Sequence, residues 1–277
     1  MSALPSEHPS DYSTLTLNIS KHVAEVSLNR PEAANAMNAP MWSELEHCFK
    51  MLDRDEAVRV VILAAHGRHF CSGIDLAMLS GLTPDDGDPA RASERLRTRI
   101  LELQDNLSGI ESCRKPVLAA VQGACLGGGV DIVSCCDMRY ATVDARFAIR
   151  EIDVGLVADV GSLQRLPHII GEGLVRELAF TGREVRGDEA ATIGLVNRTF
   201  DDQDKMMTDV RRTAATIASK SPLAIRGTKQ VLHYTRTHST ADALDYVATW
   251  NSAMLSFADV RKAIAAAKSG DPPAFED

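Results

Sequence analysis

The sequence predicts an α/β core followed by a helical region. Strand-like and helix-like apolar patterns alternate through the first two-thirds of the chain. From Ser162 onward the spacing is mainly helical. The composition, 45% hydrophobic and 25% charged over 277 residues, is ordinary for a soluble globular protein, and the length is enough to bury a real core. No repeat or low-complexity segment is present. The expected division is a core over residues 1–200 and a helical region over 201–277.

After a polar lead of about a dozen residues, 15–19 and 23–28 alternate with the period of strands. Asn29, Arg30 and Pro31 break the second run. Met41, Trp42, Leu45, Phe49 and Leu52 then fall on one face of a helix. Residues 58–65 are nearly all apolar and read as a strand buried on both faces. His66, Gly67 and Arg68 turn the chain into HFCSGIDL. The clearest loop is TPDDGDP, 83–89, and a long charged helix over 89–111 follows it. A short apolar strand over 117–121 runs into Gly127, Gly128 and Gly129. Beyond that, 174–180, 188–193, 204–219, 222–235 and 240–257 have helical spacing. Asp188 and Glu189 enrich one first turn, and Thr240 is placed to cap a later helix. Trp42, Trp250 and Phe257 sit on apolar helical faces, as core or subunit contacts.

Several function classes are disfavoured. A net charge of −8 argues against a general nucleic-acid binder, whose footprint is usually basic. No uninterrupted apolar run approaches the length of a membrane span. The opening MSALPSEHPSDYS lacks a secretory apolar core and an Arg-rich amphipathic pattern, and Phe275-Glu276-Asp277 is not a peroxisomal address. A cytoplasmic protein is the resulting expectation. Cys48, Cys71, Cys113, Cys125, Cys135 and Cys136 form no C-x-x-C pair and read as buried free thiols. His66 and His69 flank a turn, so no metal is expected.

The chemistry concentrates in 115–167. Glycine removes side-chain bulk and lets a ligand approach backbone N–H groups. A helix starting at Gly127–Gly129 would aim free N–H groups and its positive end at whatever binds there. Fixed donors aimed at developing charge make an oxyanion hole. Asp131, Glu151 and Asp159 follow, each among apolar or small residues, where desolvation raises a carboxyl pKa toward the working pH. A donor-lined hole plus several acids, with no obvious nucleophile, suggests enolate chemistry. A dinucleotide fingerprint fails because Ile132 stands three residues after Gly129. Asp131 fits either an acid favouring a helix start or a member of the catalytic set, and the second is preferred. Glu151 has a bland alternative as a surface acid paired with Arg150. Asp153 is read as a structural partner, Asp75 as a local cap, and Arg165 and Pro167 as structural.

HFCSGIDL at 69–76, KPVLAAVQGACLGGGVD at 115–131 and LNRPEAANAMN at 28–38 resemble the enoyl-CoA hydratase/isomerase family, the crotonase superfamily. The likeness runs over about residues 15–268. It implies a crotonase-like spiral of ββα units with a helical C-terminal region that forms trimers, and trimers stacked as a hexamer. It also implies an acyl-CoA thioester whose carbonyl is held by Ile74 and Gly128 N–H. Ala34, Ala36, Gly73 and Gly127 match segments that line the CoA site, and Phe257 is a further candidate wall. No metal or redox cofactor is implied, because CoA is part of the substrate.

Asp159, with Asp131 and Glu151, resembles the subgroup that converts 3,5-dienoyl-CoA to 2,4-dienoyl-CoA in fatty acid β-oxidation. Glu151 would take a proton from C2 and Asp159 would deliver one at C6. Asp131 would tune the pocket. The alternatives are an enoyl-CoA hydratase, with Asp131 and Glu151 holding a water, and a non-catalytic acyl-CoA binder.

Overall fold

Alternate residues of the central strands face two different cores, and this sets the layout. The computed structural model describes residues 12–80 and 87–277. The polar lead before Tyr12 and residues 83–86 of the expected loop lie outside them. The first part of the chain forms β1 (Leu15–Ser20), β2 (Val23–Leu28), α1 (Ala39–Arg54), β3 (Val60–Ala65), α2 (Leu76–Ser80) and α3 (Pro89–Ser112). The middle forms β4 (Val117–Val121), β5 (Ala124–Leu126), α4 (Gly128–Ser134), β6 (Met138–Thr142), β7 (Arg146–Ala148) and α5 (Ser162–Arg165). There follow α6 (Glu172–Thr181), β8 (Val185–Arg186), α7 (Gly187–Thr192) and β9 (Arg198–Phe200). Four helices close the chain: α8 (Gln203–Ala218), α9 (Pro222–Tyr234), α10 (Thr240–Met254) and α11 (Phe257–Ser269).

Six strands make the main sheet in the order β1-β2-β3-β4-β6-β9, antiparallel at β1/β2 and parallel from there on. A second sheet runs β5-β7-β8. The chain alternates between them, β4 to β5 and β6 to β7, so these two turns each lay one strand in each sheet before a helix. This is the spiral of ββα turns that the resemblance implied.

All six residues of β3 are buried because both faces of the sheet are covered. Val61, Leu63 and Ala65 face the larger core with Trp42 and Phe49 of α1, while Val60, Ile62 and Ala64 face Met206, Val210 and Ala214 of α8. The period of two in side-chain direction produces this split. Asn38 caps α1, its side chain accepting from Met41 N–H at 3.1 Å. All six cysteines are buried and free.

The boundaries differ from expectation in two instructive places. Ser239, not Thr240, caps α10, in a capping box with Asp242. The helix expected over 240–257 ends at Met254, and Phe257 already opens the next helix, α11, which Ser256 caps by accepting from Asp259 N–H. In the tail, α8 packs on the main sheet, and Lys229 of α9 is tied to Asp137 at 2.7 Å and to the Lys115 carbonyl at 3.1 Å. The outer helices α10 and α11 leave Leu244, Leu255, Phe257 and Ile264 exposed. Among the described residues no helix is long and apolar enough to cross a membrane.

Candidate active site

Three chain segments meet edge to edge at the end of β5. Cys71 bridges Cys125, with Cys71 N–H donating to Ala124 O and Leu126 N–H to Cys71 O, each at 2.9 Å. Ile74 bridges Met37 through Met37 N–H to Gly73 O at 2.8 Å and Asp75 N–H to Met37 O at 3.1 Å. These ladders turn the Ile74 N–H away from both partners. Among the described residues neither Ile74 N–H nor Gly128 N–H has an acceptor. A Cβ built on Gly128 would stand 3.7 Å from Ile74 N, so the two donors border one small space. Gly73 (φ +103°) and Gly127 (φ +49°) take backbone conformations that glycine alone adopts easily.

Glu151 approaches this space from the chain after β7, while Asp131 lies on α4 and Asp159 further along the chain. Asp131 lies in the first turn of α4 and is 1% exposed, its Oδ1 accepting the Ser162 N–H at 2.7 Å. Burial first, then the charges of Glu151 and Asp159, push its carboxyl up to about 7 against the Ser162 hydrogen bond. Glu151 opens a 3-10 turn, Glu151–Val154, and is half-buried. A Cβ on Gly127 would stand 3.1 Å from Glu151 Oε1, so this carboxylate lies against the glycine turn. Its Oε2 is buried without a hydrogen-bond partner among the described residues. Burial, then the charge of Asp159, holds the Glu151 carboxyl above its ordinary value.

Asp159 was expected in an apolar wall. Instead it is exposed in the single chain, along with Leu156 and Val157, because this apolar run lies on the surface and not in the core. The protein crowding one side of it still raises its carboxyl, through desolvation. It borders an open cavity of about 590 Å³ whose lining includes Gln104, Glu111, Arg165 and His233. The charges of Glu151 and Asp159 both act on Asp131, which comes from α4, and that of Asp159 acts on Glu151.

The secondary readings sort clearly. Arg150 pairs with Asp153 at 2.9 Å and Glu184 at 3.2 Å, not with Glu151, so the surface-pair reading of Glu151 is not realised. Asp153 is a structural partner, on the 3-10 turn and not on a strand. Asp75 accepts from Ala77 N–H at 3.2 Å and pairs with Arg30 at 3.1 Å, a local cap. Arg165 donates to Glu111 at 2.8 Å and to Ser108 at 3.1 Å. Among the described residues no group of three His, Cys, Asp or Glu side chains is arranged to hold a metal.

Ala34 and Ala36 flank the donor pair, but their main-chain groups are bonded inside the protein: Ala34 O accepts Ser72 N–H at 3.0 Å, and Ala36 O accepts the Arg30 guanidinium. Three contributors escaped the sequence reading. Buried Asn35 fastens this segment to the HFCSGIDL turn, donating to His66 O at 2.9 Å and His69 O at 2.8 Å. Ser162 supplies the N–H on Asp131, and Gln104 reaches the Asp159 carbonyl at 2.6 Å. Only Asn35, a polar residue amid small apolar ones before a capped helix, gave a local signal.

The sequence pattern of the family described as enoyl-CoA hydratase/isomerase matches residues 18–277. The chain belongs to that family. It is 47% identical over 267 residues to a mouse protein named Delta(3,5)-Delta(2,4)-dienoyl-CoA isomerase, mitochondrial, covering 94% of this chain and 82% of that one. The peroxisomal protein of the same name from Arabidopsis thaliana is 44% identical, covering 95% and 97% of the two chains. A crotonyl-CoA hydratase from Syntrophomonas wolfei is 33% identical over 219 residues, 79% of this chain and 80% of that one. Among solved structures, an enoyl-CoA hydratase from Bacillus anthracis superposes with a TM-score of 0.87 at 27% identity, covering 95% and 99%.

These relatives overturn the cytoplasmic expectation, since they are named mitochondrial or peroxisomal. The expectation rested on address patterns not found in this sequence, and such an absence carries no evidence about compartment.

The burial of Asp131, reinforced by the charge of Glu151, has a measurable consequence for stability. Asp131 titrates near 7 when folded against 3.8 as its ordinary value. Between these values the native state holds more protons than the unfolded state, so stability falls as pH rises through this window. At about 1.4 kcal/mol per pH unit the loss reaches a few kcal/mol. Asp131→Asn keeps an acceptor for Ser162 but has no charge to bury. Urea titrations are expected to show it more stable than the native protein by a few kcal/mol at pH 8, with the gain fading toward pH 4. Equal stabilities at pH 8 would remove the claim of a buried, repelled carboxylate.

Proposed function

We propose that this protein isomerises 3,5-dienoyl-CoA to 2,4-dienoyl-CoA. The observation that carries the reading is the Glu151 carboxylate against the Gly127 turn beside two unpaired backbone donors, with the charges of Glu151 and Asp159 acting on buried Asp131. Ile74 and Gly128 N–H would hold the thioester oxygen while Glu151 removes a proton from C2. The electrons move into the carbonyl and form a dienolate, whose oxygen the two donors stabilise. Asp159 then gives a proton to C6 at the far end of the conjugated system. Two separate acids suit this shift, because one carboxyl could hardly reach both carbons. Each turnover leaves a proton on Glu151 and takes one from Asp159, so both acids must be reset, and the exposure of Asp159 supports exchange with water.

No cofactor is part of the proposal, since the thioester itself is the electron sink. The relatives named isomerases at 44–49% identity stand nearer than those named hydratases at 33–34%, which favours isomerisation over water addition. The complete acid set speaks against a non-catalytic binder. The direct test follows a 3,5-dienoyl-CoA by ultraviolet absorbance. Conversion to the 2,4-diene is expected, and a pure enzyme that only hydrates 2-enoyl-CoA would overturn the reading.

The same proposal includes assembly into trimers, doubled to a hexamer. Phe257 and Val157 are 68% and 75% exposed in the single chain, and Leu244 and Ile264 add to this apolar surface. Exposed large apolar side chains of this kind suit contacts with other chains, and closed symmetric assemblies are the common outcome. Light scattering is expected to give three or six times the 30.0 kDa chain mass. A stable, active monomer would refute it.

A further inference from the structure

We propose that Gln104 of α3 is a positioning residue for Asp159. The inference rests on the isomerase reading, in which Asp159 delivers the proton to C6. Residues 156–159 have no regular secondary structure, so no strand or helix ladder fixes the direction in which Asp159 points. Segments of this kind stay fixed only where other contacts hold them. Gln104 Nε2 donates to the main-chain carbonyl of Asp159 at 2.6 Å, across 55 residues of sequence.

Gln104 stands on a firm base. Its neighbours Leu103 and Leu107 are buried in the main core, which fixes α3 against α1. Just beyond Asp159, the Arg165 guanidinium donates to Val160 O at 3.3 Å, and the Ser162 N–H is held by Asp131. The downstream side of Asp159 is therefore anchored at Val160 and Ser162, but its own peptide group has Gln104 as the side-chain tie. Holding that carbonyl fixes the plane of the peptide after Asp159 and with it the direction of the Cα–Cβ bond. Gln104 carries no charge, so its removal changes the placement of Asp159 without adding or removing a charge at the site. Misplacement of a reacting group by about 1 Å costs on the order of 10²-fold.

The experiment uses the full-length enzyme and Gln104→Met, which keeps an unbranched side chain of similar length without the donor. With 3,5-dienoyl-CoA in deuterium oxide, kcat for isomerisation is expected to fall about 10- to 100-fold with KM little changed. Exchange at C2 should continue at its native rate, because Glu151 and the donor pair are untouched. In an Asp159→Asn background, Gln104→Met should have no further effect, since it acts only through Asp159. A native enzyme that does not isomerise would overturn the functional reading. A native enzyme that isomerises, with Gln104→Met equally fast, would overturn the role of Gln104 alone. Equal loss of C2 exchange and C6 protonation, or an additive loss in the double variant, would also overturn it.

Discussion

A Gly128→Val protein is expected to fold and to lose about 10²- to 10³-fold in turnover, the cost of one oxyanion donor. Four glycines surround the site, and their geometry singles out this one. A side chain at Gly127 or Gly73 would have to enter a positive-φ conformation, at +49° and +103°. A Cβ at Gly129 would stand 2.9 Å from the Cys71 carbonyl, which is main chain and cannot step aside. Those three substitutions would damage the backbone itself. At Gly128 the nearest atom is Met37 Sδ at 3.1 Å, in a buried but unbranched thioether side chain of the adaptable kind, and the next is Ile74 N at 3.7 Å. The added group therefore fits the fold but fills the space in front of both donors. Thermal melting should change little while kcat collapses. A folded Gly128→Val enzyme with near-native turnover would remove Ile74 and Gly128 from the site.

This separation between fold and function also explains what the sequence could reveal. The main sheet was legible where burial on both faces forced continuous apolar runs, as in β3 and β4. The short strands β5 to β9 were missed, because segments such as RFA and RTF have two to five residues and no period to read. The glycine turn and the acids stood out locally, since each needs an unusual residue in an apolar neighbourhood. Asp159 shows the limit of that signal. Its apolar neighbours suggested a buried wall, but Leu156 and Val157 face outward, and no local pattern distinguishes a core from a surface awaiting another chain. The ties that orient the acids, Ser162 to Asp131 and Gln104 to Asp159, span 31 and 55 residues and depend on the spiral itself. Such contacts leave no trace in local spacing. Motif likeness, not periodicity, carried the assignment of Ile74, whose importance is a backbone N–H that any residue could supply.

Asp159→Asn is expected to reduce isomerisation by at least the ~10²–10⁴ of a lost general acid–base group. The asparagine keeps the shape of the side chain and the main-chain carbonyl that Gln104 holds, so the segment stays in place. It cannot supply the proton that C6 needs to close the shifted diene. Removal of the C2 proton does not depend on it, because Glu151 lies against the Gly127 turn and the two donors remain free. The variant should therefore form the dienolate and return it to substrate, exchanging C2 while C6 stays unlabelled. Losing one negative charge also relieves Glu151, whose carboxyl Asp159 helps to hold high, so the C2 exchange profile should move toward lower pH. Glu151→Gln is expected to abolish labelling at both carbons, since no dienolate forms. NMR of a 3,5-dienoyl-CoA incubated in deuterium oxide with each protein reads both positions at once. If Asp159→Asn labels C6 at the native rate, another group protonates the far carbon and Asp159 has no part in the chemistry.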